Sequence, residues 1–445
     1  MRSVRFPLLA LVALVLASAP LFAADYVLTA PKWDSAQSAA VEAAGGKVRY
    51  AHASGFALVS SDDAGFASRV NASKAFTEIL SDIFTQWQKP RLIVEAAESA
   101  VTPGNETFAA VQWAPTAVNA QGAWKAGFTG AGVRVAVIDG GIYNTHADLK
   151  GSVDAARSMS FVPGFAFNED TGTFWHGTHV AGIIAARDNN AGIIGIAPGA
   201  TIVGVKVLHN GTGNFGAIIA GILYAATPIA EGGGGADIIN MSLGAEFERR
   251  GGAGSLVSEL AKACNYAASK GVLVVVAAGN SAIDLGQSRD FISVPAESGS
   301  AIAVSASGPL GFGRGATNFH RRASYSNYGE GAIYVAGPGG DFALPGSALC
   351  NLPRQPGGTI TQYCWVLDMV ISTVRGSGTS TTSYSWTAGT SMAAPAVAAV
   401  AALAKEAHPG ISLGALKTLL ARSADAETPR EFYGHGYPNA GNAVQ

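Results

Sequence analysis

The feature that most constrains the fold is a series of almost continuous apolar runs, separated by segments with helical periodicity. Five runs are candidate strands: residues 133–138, 202–208, 238–239, 272–278 and 302–305. Three segments between them have helical patterns: residues 179–187, 217–226 and 256–270. Strands that are apolar on both faces and alternate with helices are typical of a parallel sheet. Residues 110–440 are therefore predicted to form an α/β domain, with a doubly wound, mostly parallel sheet and helices on both faces.

The first 23 residues have the pattern of an export signal. Arg2 and Arg5 supply positive charge, residues 8–17 are apolar, and small residues follow. An apolar run of this length is too short to span a bilayer, so removal near Ala23 or Ala24 is expected rather than anchoring. The alternative is a buried N-terminal helix. We expect a soluble, secreted protein, either extracellular or periplasmic.

Residues 24–105 are predicted to form a separate small domain. Candidate strands lie at 26–28, 47–50, 56–59 and 92–94, and two helices follow Asp34 and Asp62. The order βαββαβ indicates a ferredoxin-like α+β unit. Residues 101–106 contain Pro, Gly and Asn, which are typical of a linker.

Composition excludes several classes of protein. The 445 residues are 48% hydrophobic, which is too apolar for a disordered chain. The formal net charge of −2 gives no electrostatic reason to expect a nucleic-acid partner. Neither a fixed-period repeat nor a heptad pattern is present, so a solenoid or a coiled coil is not expected.

Three cysteines fit an oxidising compartment only loosely. Cys350 and Cys364 lie close together in a stretch rich in Gly and Pro, and the sequence leaves open whether they form a disulfide. Cys264 lies in a helical pattern and is expected to be a buried free thiol.

Polar side chains follow the apolar runs, where an α/β sheet binds its ligands. Asp139 and Asn280 each come after a predicted strand, and His176 and Ser391 precede helical segments. These are the chemical types that acyl transfer needs: a hydroxyl nucleophile, an imidazole base, a carboxylate that orients the base, and an amide that binds the oxyanion. Taken singly, each has a structural alternative, such as a helix cap, a turn residue or a core histidine.

The strings around these residues are specific. The sequence contains VAVIDGGI around Asp139, HGTHVAGI from His176 and GTSMAAP around Ser391, in the order Asp, His, Ser. It therefore resembles a subtilisin-like serine protease of the subtilase family. The strings NMSLG, AAGNS and GIIGIAP also match the family pattern.

The resemblance implies a role for each residue. Asp139 orients the base, His176 is the base, Ser391 is the nucleophile, and Asn280 donates to the oxyanion with the Ser391 N–H. His179 belongs to the same string but is not the catalytic histidine. The activity implied is that of a serine endopeptidase that forms an acyl-enzyme and needs no catalytic cofactor.

The resemblance also implies where a substrate binds. Two Gly-bearing segments would flank an extended peptide: Gly211, Thr212 and Gly213 on one side, and Ser242, Leu243 and Gly244 on the other. The alternative for either segment is an ordinary turn. We expect protein or peptide substrates and broad specificity.

A structural calcium site is a further implication. The positions that match the family's ligands are Asp148 and Asn189, and oxygen ligands of this kind suit Ca²⁺. The alternative is a loop at 187–194 that Asx turns stabilise without metal.

An N-terminal domain in a secreted protease of this family implies a propeptide. It would assist folding, act as an intramolecular inhibitor, and be removed by self-processing between residues 100 and 113. We expect the mature enzyme to be monomeric. Residues 339–382 are an insertion relative to the short family pattern, and are either surface elaboration or part of the cleft.

Three other interpretations of the sequence have less support. Gly127, Gly130 and Gly132 resemble a phosphate-binding loop, but they precede a strand instead of following it. His176 and His179 lack the Glu and the spacing of a zinc protease. A catalytically silent homologue is not favoured, because no triad member is missing.

Overall fold

The computed structural model describes residues 24–88, 94–96, 106–171, 175–376 and 382–445. The predicted export signal lies outside these residues, as does most of the predicted linker. The chain divides into two compact units, one ending at Ser81 and the other beginning at Asp82. None of the helices in the described ranges is both long enough and apolar enough to cross a membrane.

The first unit is a four-stranded antiparallel sheet with two helices. Its elements are β1 (Ala24–Thr29), α1 (Ser35–Ala43), β2 (Lys47–His52), β3 (Phe56–Ser61), α2 (Phe66–Ser73) and β4 (Glu78–Ser81). The strand order is β2-β3-β1-β4, which gives the predicted βαββαβ arrangement. Asp34 caps α1 by accepting from the Ala36 N–H at 2.9 Å. The core of the unit includes Leu28, Val59 and Phe66.

The prediction of a last strand of this unit at 92–94 was wrong. The strand that completes the sheet is β4, which pairs with β1. Residues 92 and 93 lie outside the described residues. Val94 begins a different strand, β6 (Val94–Ala96), which belongs to the second unit. The three apolar residues at 92–94 carried no signal for which partner they would pair with, because short apolar runs do not specify a neighbour.

The second unit is built around a seven-stranded parallel sheet. The strands are β7 (Arg134–Asp139), β8 (Met159–Ser160), β9 (Thr201–Lys206), β11 (Ile238–Met241), β13 (Leu273–Ala277), β15 (Ile302–Ser307) and β16 (Ile333–Pro338). Their order across the sheet is β16-β15-β13-β11-β7-β9-β8. Every neighbouring pair is parallel. The predicted α/β fold is thereby confirmed.

Helices cover the sheet and connect its strands. They are α3 (Ala114–Ala117), α4 (Ala120–Lys125), α5 (His176–Ala185), α6 (Phe215–Ala226), α7 (Gly254–Ser269), α8 (Thr390–Ala407), α9 (Leu413–Ser423), α10 (Arg430–Tyr433) and α11 (Ala440–Ala443). The helix α5 packs against α8, and α6 packs against α7. Alanines dominate the buried residues of α8, and their small side chains let this helix cross β11, β13 and β15 closely.

Short antiparallel pairs surround the main sheet. Their strands are β5 (Phe84–Gln86), β10 (Thr212–Asn214), β12 (Ala245–Glu248), β14 (Phe291–Val294), β17 (Leu349–Pro353), β18 (Thr359–Tyr363), β19 (Val370–Val374) and β20 (Ser383–Thr387). β6 pairs with β20. In the insertion, Cys350 and Cys364 form a disulfide that ties β17 to the end of β18. Cys264 is a buried free thiol, as expected.

The structure differs from the prediction at the strand β16 and at the start of α5. The edge strand β16 was not predicted, since its sequence IYVAGP ends in Gly and Pro. The helix α5 begins at His176, three residues before the predicted start at His179. The predicted start was too late because His176 lies outside the apolar periodicity on which the prediction rested. The start of α5 at His176 determines the position of its imidazole.

Candidate active site

Asp139 and His176 are held together at the carboxyl end of the sheet. Asp139 is the last residue of β7, and His176 is the first residue of α5. His176 Nδ1 lies 2.8 Å from Asp139 Oδ2 and 3.0 Å from Oδ1. Both side chains are buried. A Cβ built on Gly177 would lie 2.1 Å from the Gly141 carbonyl oxygen, so only glycine lets α5 approach β7 this closely.

A second carboxylate supports this pair, and the sequence analysis missed it. Asp170 Oδ2 accepts from the Thr178 N–H at 2.8 Å and from Thr178 Oγ1 at 2.5 Å, which anchors the first turn of α5. Burial, together with the nearby charge of Asp139, raises the pKa of Asp170 to about 7. Lys206 is also buried here, and its Nζ donates to the carbonyls of Gly140 and Leu208. Neither residue belongs to the strings that carry the family resemblance, so the sequence did not mark them.

Ser391 lies in the first turn of α8, where a proline changes the hydrogen bonding. Pro395 has no N–H, so the Ser391 carbonyl lacks the donor that a helix normally supplies four residues later. Ser242 Oγ donates to this carbonyl at 2.8 Å, and Ser391 Oγ donates to the Ser242 carbonyl at 3.3 Å. The two serines therefore join the start of α8 to the segment that follows β11.

The amide of Asn280 has its orientation set by Thr390. Asn280 Oδ1 accepts from the Thr390 N–H at 2.8 Å and from Thr390 Oγ1 at 3.0 Å. These bonds direct the amide oxygen of Asn280 toward Thr390, so the NH₂ group points away from Thr390. A Cβ built on Gly389 would lie 3.6 Å from Ser391 N and 3.8 Å from Asn280 Nδ2. Both nitrogens therefore border the same small space beside Gly389.

His176, Asn280 and Ser391 line one cavity of about 320 Å³, and Asp139 lies behind His176. The four residues predicted from the sequence thus come together at one edge of the sheet. His179 lies apart, with Nε2 bonded to the Ser385 carbonyl at 3.1 Å. Burial lowers the pKa of His179 to about 3, so it is neutral and structural.

The two predicted substrate-binding segments hold an extended piece of the chain itself. β5 pairs antiparallel with β10, which contains Thr212 and Gly213. Beyond β5, the N–H groups of Trp87 and Gln88 donate to the Gly211 carbonyl at 2.9 and 3.0 Å. On the other side, the Gly244 N–H donates to the Trp87 carbonyl at 2.9 Å. A Cβ built on Gly211 would lie 2.6 Å from the Gln88 carbonyl oxygen, so glycine at this position leaves the room that a backbone needs for this approach.

Side chains fix the same piece in place. Trp87 is 2% exposed, packs against Phe215 and Phe247, and donates from Nε1 to the Gly213 carbonyl at 2.9 Å. The side-chain amide of Gln88 donates to the Ser242 carbonyl at 3.1 Å and lies 2.9 Å from His176 Nδ1. The segment 82–88 therefore runs along the cleft and reaches the buried Asp139–His176 pair.

Asp148 and Asn189, the predicted calcium ligands, are neighbours. Asn189 Nδ2 lies 3.3 Å from Asp148 Oδ1, and Asp148 Oδ2 accepts from Tyr384 Oη and from the Ile193 N–H at 3.0 Å each. Asn189 Oδ1 accepts from the Ala191 N–H at 3.0 Å, which is the Asx turn of the alternative interpretation. Direct protein hydrogen bonds thus hold much of the loop.

Glu106 completes this group, and the sequence could not place it. Its Oε1 accepts from the N–H groups of Asn189 and Asn190, whereas its Oε2 is buried without a partner. Burial raises the pKa of Glu106 to about 7 and that of Asp148 to about 6, and each pKa lies above the ordinary value of its side chain. Two buried carboxylates, one with an unpaired oxygen, fit a hard cation with oxygen ligands. Among the described residues there is no cluster of three His, Cys, Asp or Glu side chains, so amide and carbonyl oxygens would have to supply the remaining ligands.

Residues 130–436 match the family model described as the subtilase family. This chain belongs to the subtilase family. It is 35% identical over 338 residues to subtilisin Savinase from Lederbergia lenta. That match covers 75% of this chain and 99% of that protein. As a member of this family, the protein is a serine endopeptidase that needs no catalytic cofactor.

Solved subtilase-like structures share the fold. A protease from Pseudoalteromonas arctica PAMC 21717 is 30% identical, with a TM-score of 0.59, and the match covers 77% of this chain and 99% of that one. The epidermin leader peptide processing serine protease from Staphylococcus aureus is 21% identical, with a TM-score of 0.69. That match covers 95% of this chain and 98% of the other, so the likeness in fold extends well beyond the family match.

The hydroxyl of Thr390 is expected to affect turnover through Asn280. Thr390→Val removes the bond to Asn280 Oδ1 and the acceptor for the Gly279 N–H, which is 3.1 Å from Thr390 Oγ1. We expect kcat to fall by about three- to tenfold, less than the loss of a whole oxyanion donor, while KM stays within about twofold. Thr390→Ser keeps the hydroxyl and is the control. Equal kcat values for the Val variant and the wild type would show that Thr390 does not orient Asn280.

Proposed function

We propose that this subtilase is a secreted, self-processing endopeptidase in which Asp139, His176 and Ser391 form the catalytic triad. His176 takes the proton from Ser391 Oγ as the oxygen bonds to the peptide carbonyl carbon. Asn280 and the Ser391 N–H donate to the resulting oxyanion. The C–N bond then breaks, and the amine leaves with the proton from His176. Water, deprotonated by the same imidazole, hydrolyses the acyl-enzyme and restores Ser391.

One observation carries this proposal: the cleft already holds an extended peptide. Segment 82–88 lies between Gly211–Gly213 and Ser242–Gly244, with hydrogen bonds from main chain to main chain on both sides. Pairing of this kind is insensitive to most side chains, which suits a protease of broad specificity. Gln88, the last described residue of the cleft segment, lies beside His176. A substrate bound in the same way would reach the space between Ser391 and Asn280.

The same segment supports a role for residues 24–105 as an inhibitory propeptide. An extended segment in the cleft excludes other peptides for as long as it stays there. Asp82 strengthens this docking, because its carboxylate accepts from the Gly216 N–H at 3.0 Å in the first turn of α6. The inhibition ends when the enzyme cuts its own chain between residues 100 and 113. The apolar run at 8–17 supports export before that step.

A structural calcium ion is the remaining part of the proposal. Asp148, Asn189 and Glu106 would hold it, with carbonyl oxygens of the 187–194 loop. The ion would neutralise two buried carboxylates and thereby stabilise the loop. It takes no part in the reaction.

Ser391→Ala tests the assignment of the nucleophile. We expect hydrolysis of casein to fall by at least about 10³-fold and labelling by a fluorophosphonate to disappear, because the alkoxide source is gone. The full-length chain should also remain uncut, as judged by its mass. Normal removal of residues 24–105 in this variant would mean that another protease processes the chain.

Trp87→Ala tests whether the cleft segment blocks the site. In the uncut Ser391→Ala chain, we expect a fluorescent substrate peptide to bind about tenfold more tightly after this change, because the segment loses the burial of its indole ring. Fluorescence anisotropy measures the affinity. Phe84→Ala is the matched control, since Phe84 lies in the same segment but is 67% exposed. Equal peptide affinities for the two variants would contradict the proposed inhibition.

Calcium is expected to raise the melting temperature in a pH-dependent way. The raised pKa values of Glu106 and Asp148 mean that the metal-free folded chain holds protons more tightly than the unfolded chain. Their contribution to stability is therefore present below the unfolded pKa values and is lost as the pH rises through about 6 to 7. Calcium should restore the melting temperature at about pH 8, and should have little effect at about pH 5, where protons compete for the carboxylates.

Glu106→Gln is the matched variant for this measurement. It should weaken the calcium response and reduce the loss of stability at high pH. No change in melting temperature on adding calcium or a chelator at about pH 8 would favour the metal-free loop.

A further inference from the structure

The cavity beside Ser391 has an asymmetric charge. One wall consists of residues 243–246, and the other includes Ala277, Gly279, Asn280 and Ser281. Ser293, which is buried, also lines the cavity. Asn280 and Ser391, the proposed oxyanion donor and nucleophile, both line the cavity. Under the proposed function, the cavity therefore lies beside the attacked carbonyl and would receive the side chain of the residue that supplies it. Its lining should therefore affect which peptide bonds are cut.

Glu246 is the only carboxylate among the described residues that line this cavity. Its position comes from the pairing of β12 with β14, in which Glu246 lies directly opposite Ser293. Side chains directly opposite one another in an antiparallel ladder lie on the same face. Glu246 and Ser293 therefore both face the cavity, with Ser293 buried and Glu246 in contact with solvent.

The charge of Glu246 is not neutralised by a neighbouring cation. Within the described ranges no Lys or Arg lies within ion-pair distance of it, and no Lys or Arg lines the cavity. Arg249, further along the same segment, is paired with Glu297 at 2.8 Å. Leu243 and Ala277 supply apolar wall that the methylene stem of a long basic side chain can cover. The arrangement matches a side chain with an aliphatic stem and a cationic end.

We propose that Glu246 gives this enzyme a preference for Lys or Arg as the residue that contributes the cleaved carbonyl. The proposal rests on the proposed function, since it names the substrate class of that same site. It narrows the broad specificity expected from the sequence.

The test compares two glutamates of one strand. Glu246→Gln removes the charge at the cavity, whereas Glu248→Gln removes the same charge two residues away, outside the cavity lining. Peptide p-nitroanilides that differ only in the last residue, Lys, Arg, Phe or Leu, are hydrolysed by each purified, processed enzyme. Titration of the active sites with a fluorophosphonate corrects every rate for correctly folded enzyme.

We expect the ratio of kcat/KM for Lys to that for Phe to fall about fivefold in Glu246→Gln, a factor in keeping with an ion pair that is partly open to solvent. In Glu248→Gln the ratio should stay within about twofold of the wild type. About 0.5 M salt should lower the wild-type ratio, because salt screens exposed charges. Glu246→Lys should invert the preference and admit an acidic last residue.

Equal Lys-to-Phe ratios in the two glutamine variants would overturn the proposal. In that case hydrolysis of the Phe substrate and labelling of Ser391 would still support the proposed function. A wild-type enzyme that hydrolyses none of the substrates and takes up no label would instead contradict the proposed function itself.

Discussion

The parallel register of the central sheet is the constraint on which the site depends. Because β7, β11 and β13 run in the same direction, their carboxyl ends meet at one edge. Asp139 ends β7, Ser242 follows β11 and Asn280 follows β13, so residues far apart in the chain arrive side by side. Residues buried on both faces of these strands fix the register, because a shift of one residue would exchange the two faces. The chemistry therefore depends on the hydrophobic packing of the sheet.

The buried helix α8 supplies the remaining group, and its first turn is irregular for a reason. Pro395 removes one helical hydrogen bond, and Ser242 replaces it by donating to the Ser391 carbonyl. Thr390 at the same turn holds the amide of Asn280. Ser391, Asn280 and the segment after β11 are thus connected through hydrogen bonds. Hydrogen-bond donors that stabilise a developing charge must be held rigidly in place, and these bonds supply such rigidity.

One side of the cleft pairs with the main chain of an extended segment, and two other places in the cleft can hold side chains. Segment 82–88 pairs with Gly211–Gly213 through main-chain hydrogen bonds. The aromatic pocket around Trp87 and the cavity beside Glu246 add two points where side chains affect affinity. Under the proposed function, a few side-chain contacts would therefore select among substrates, in a cleft that otherwise binds only the peptide main chain.

The sequence by itself determined the α/β class, the first five elements of the first unit and the four residues that meet at the edge of the sheet. Each depended on local information: runs of apolar residues, a capping Asp34, and short strings around Asp139, His176 and Ser391. Tertiary structure alone decided the rest. Glu106 lies next to a loop that is 83 residues away in the sequence, and Glu246 lies opposite Ser293 across a pair of strands, and no local pattern encodes such contacts. The partner of Val94 was settled in the same way, since a short strand pairs with whichever edge the fold presents to it.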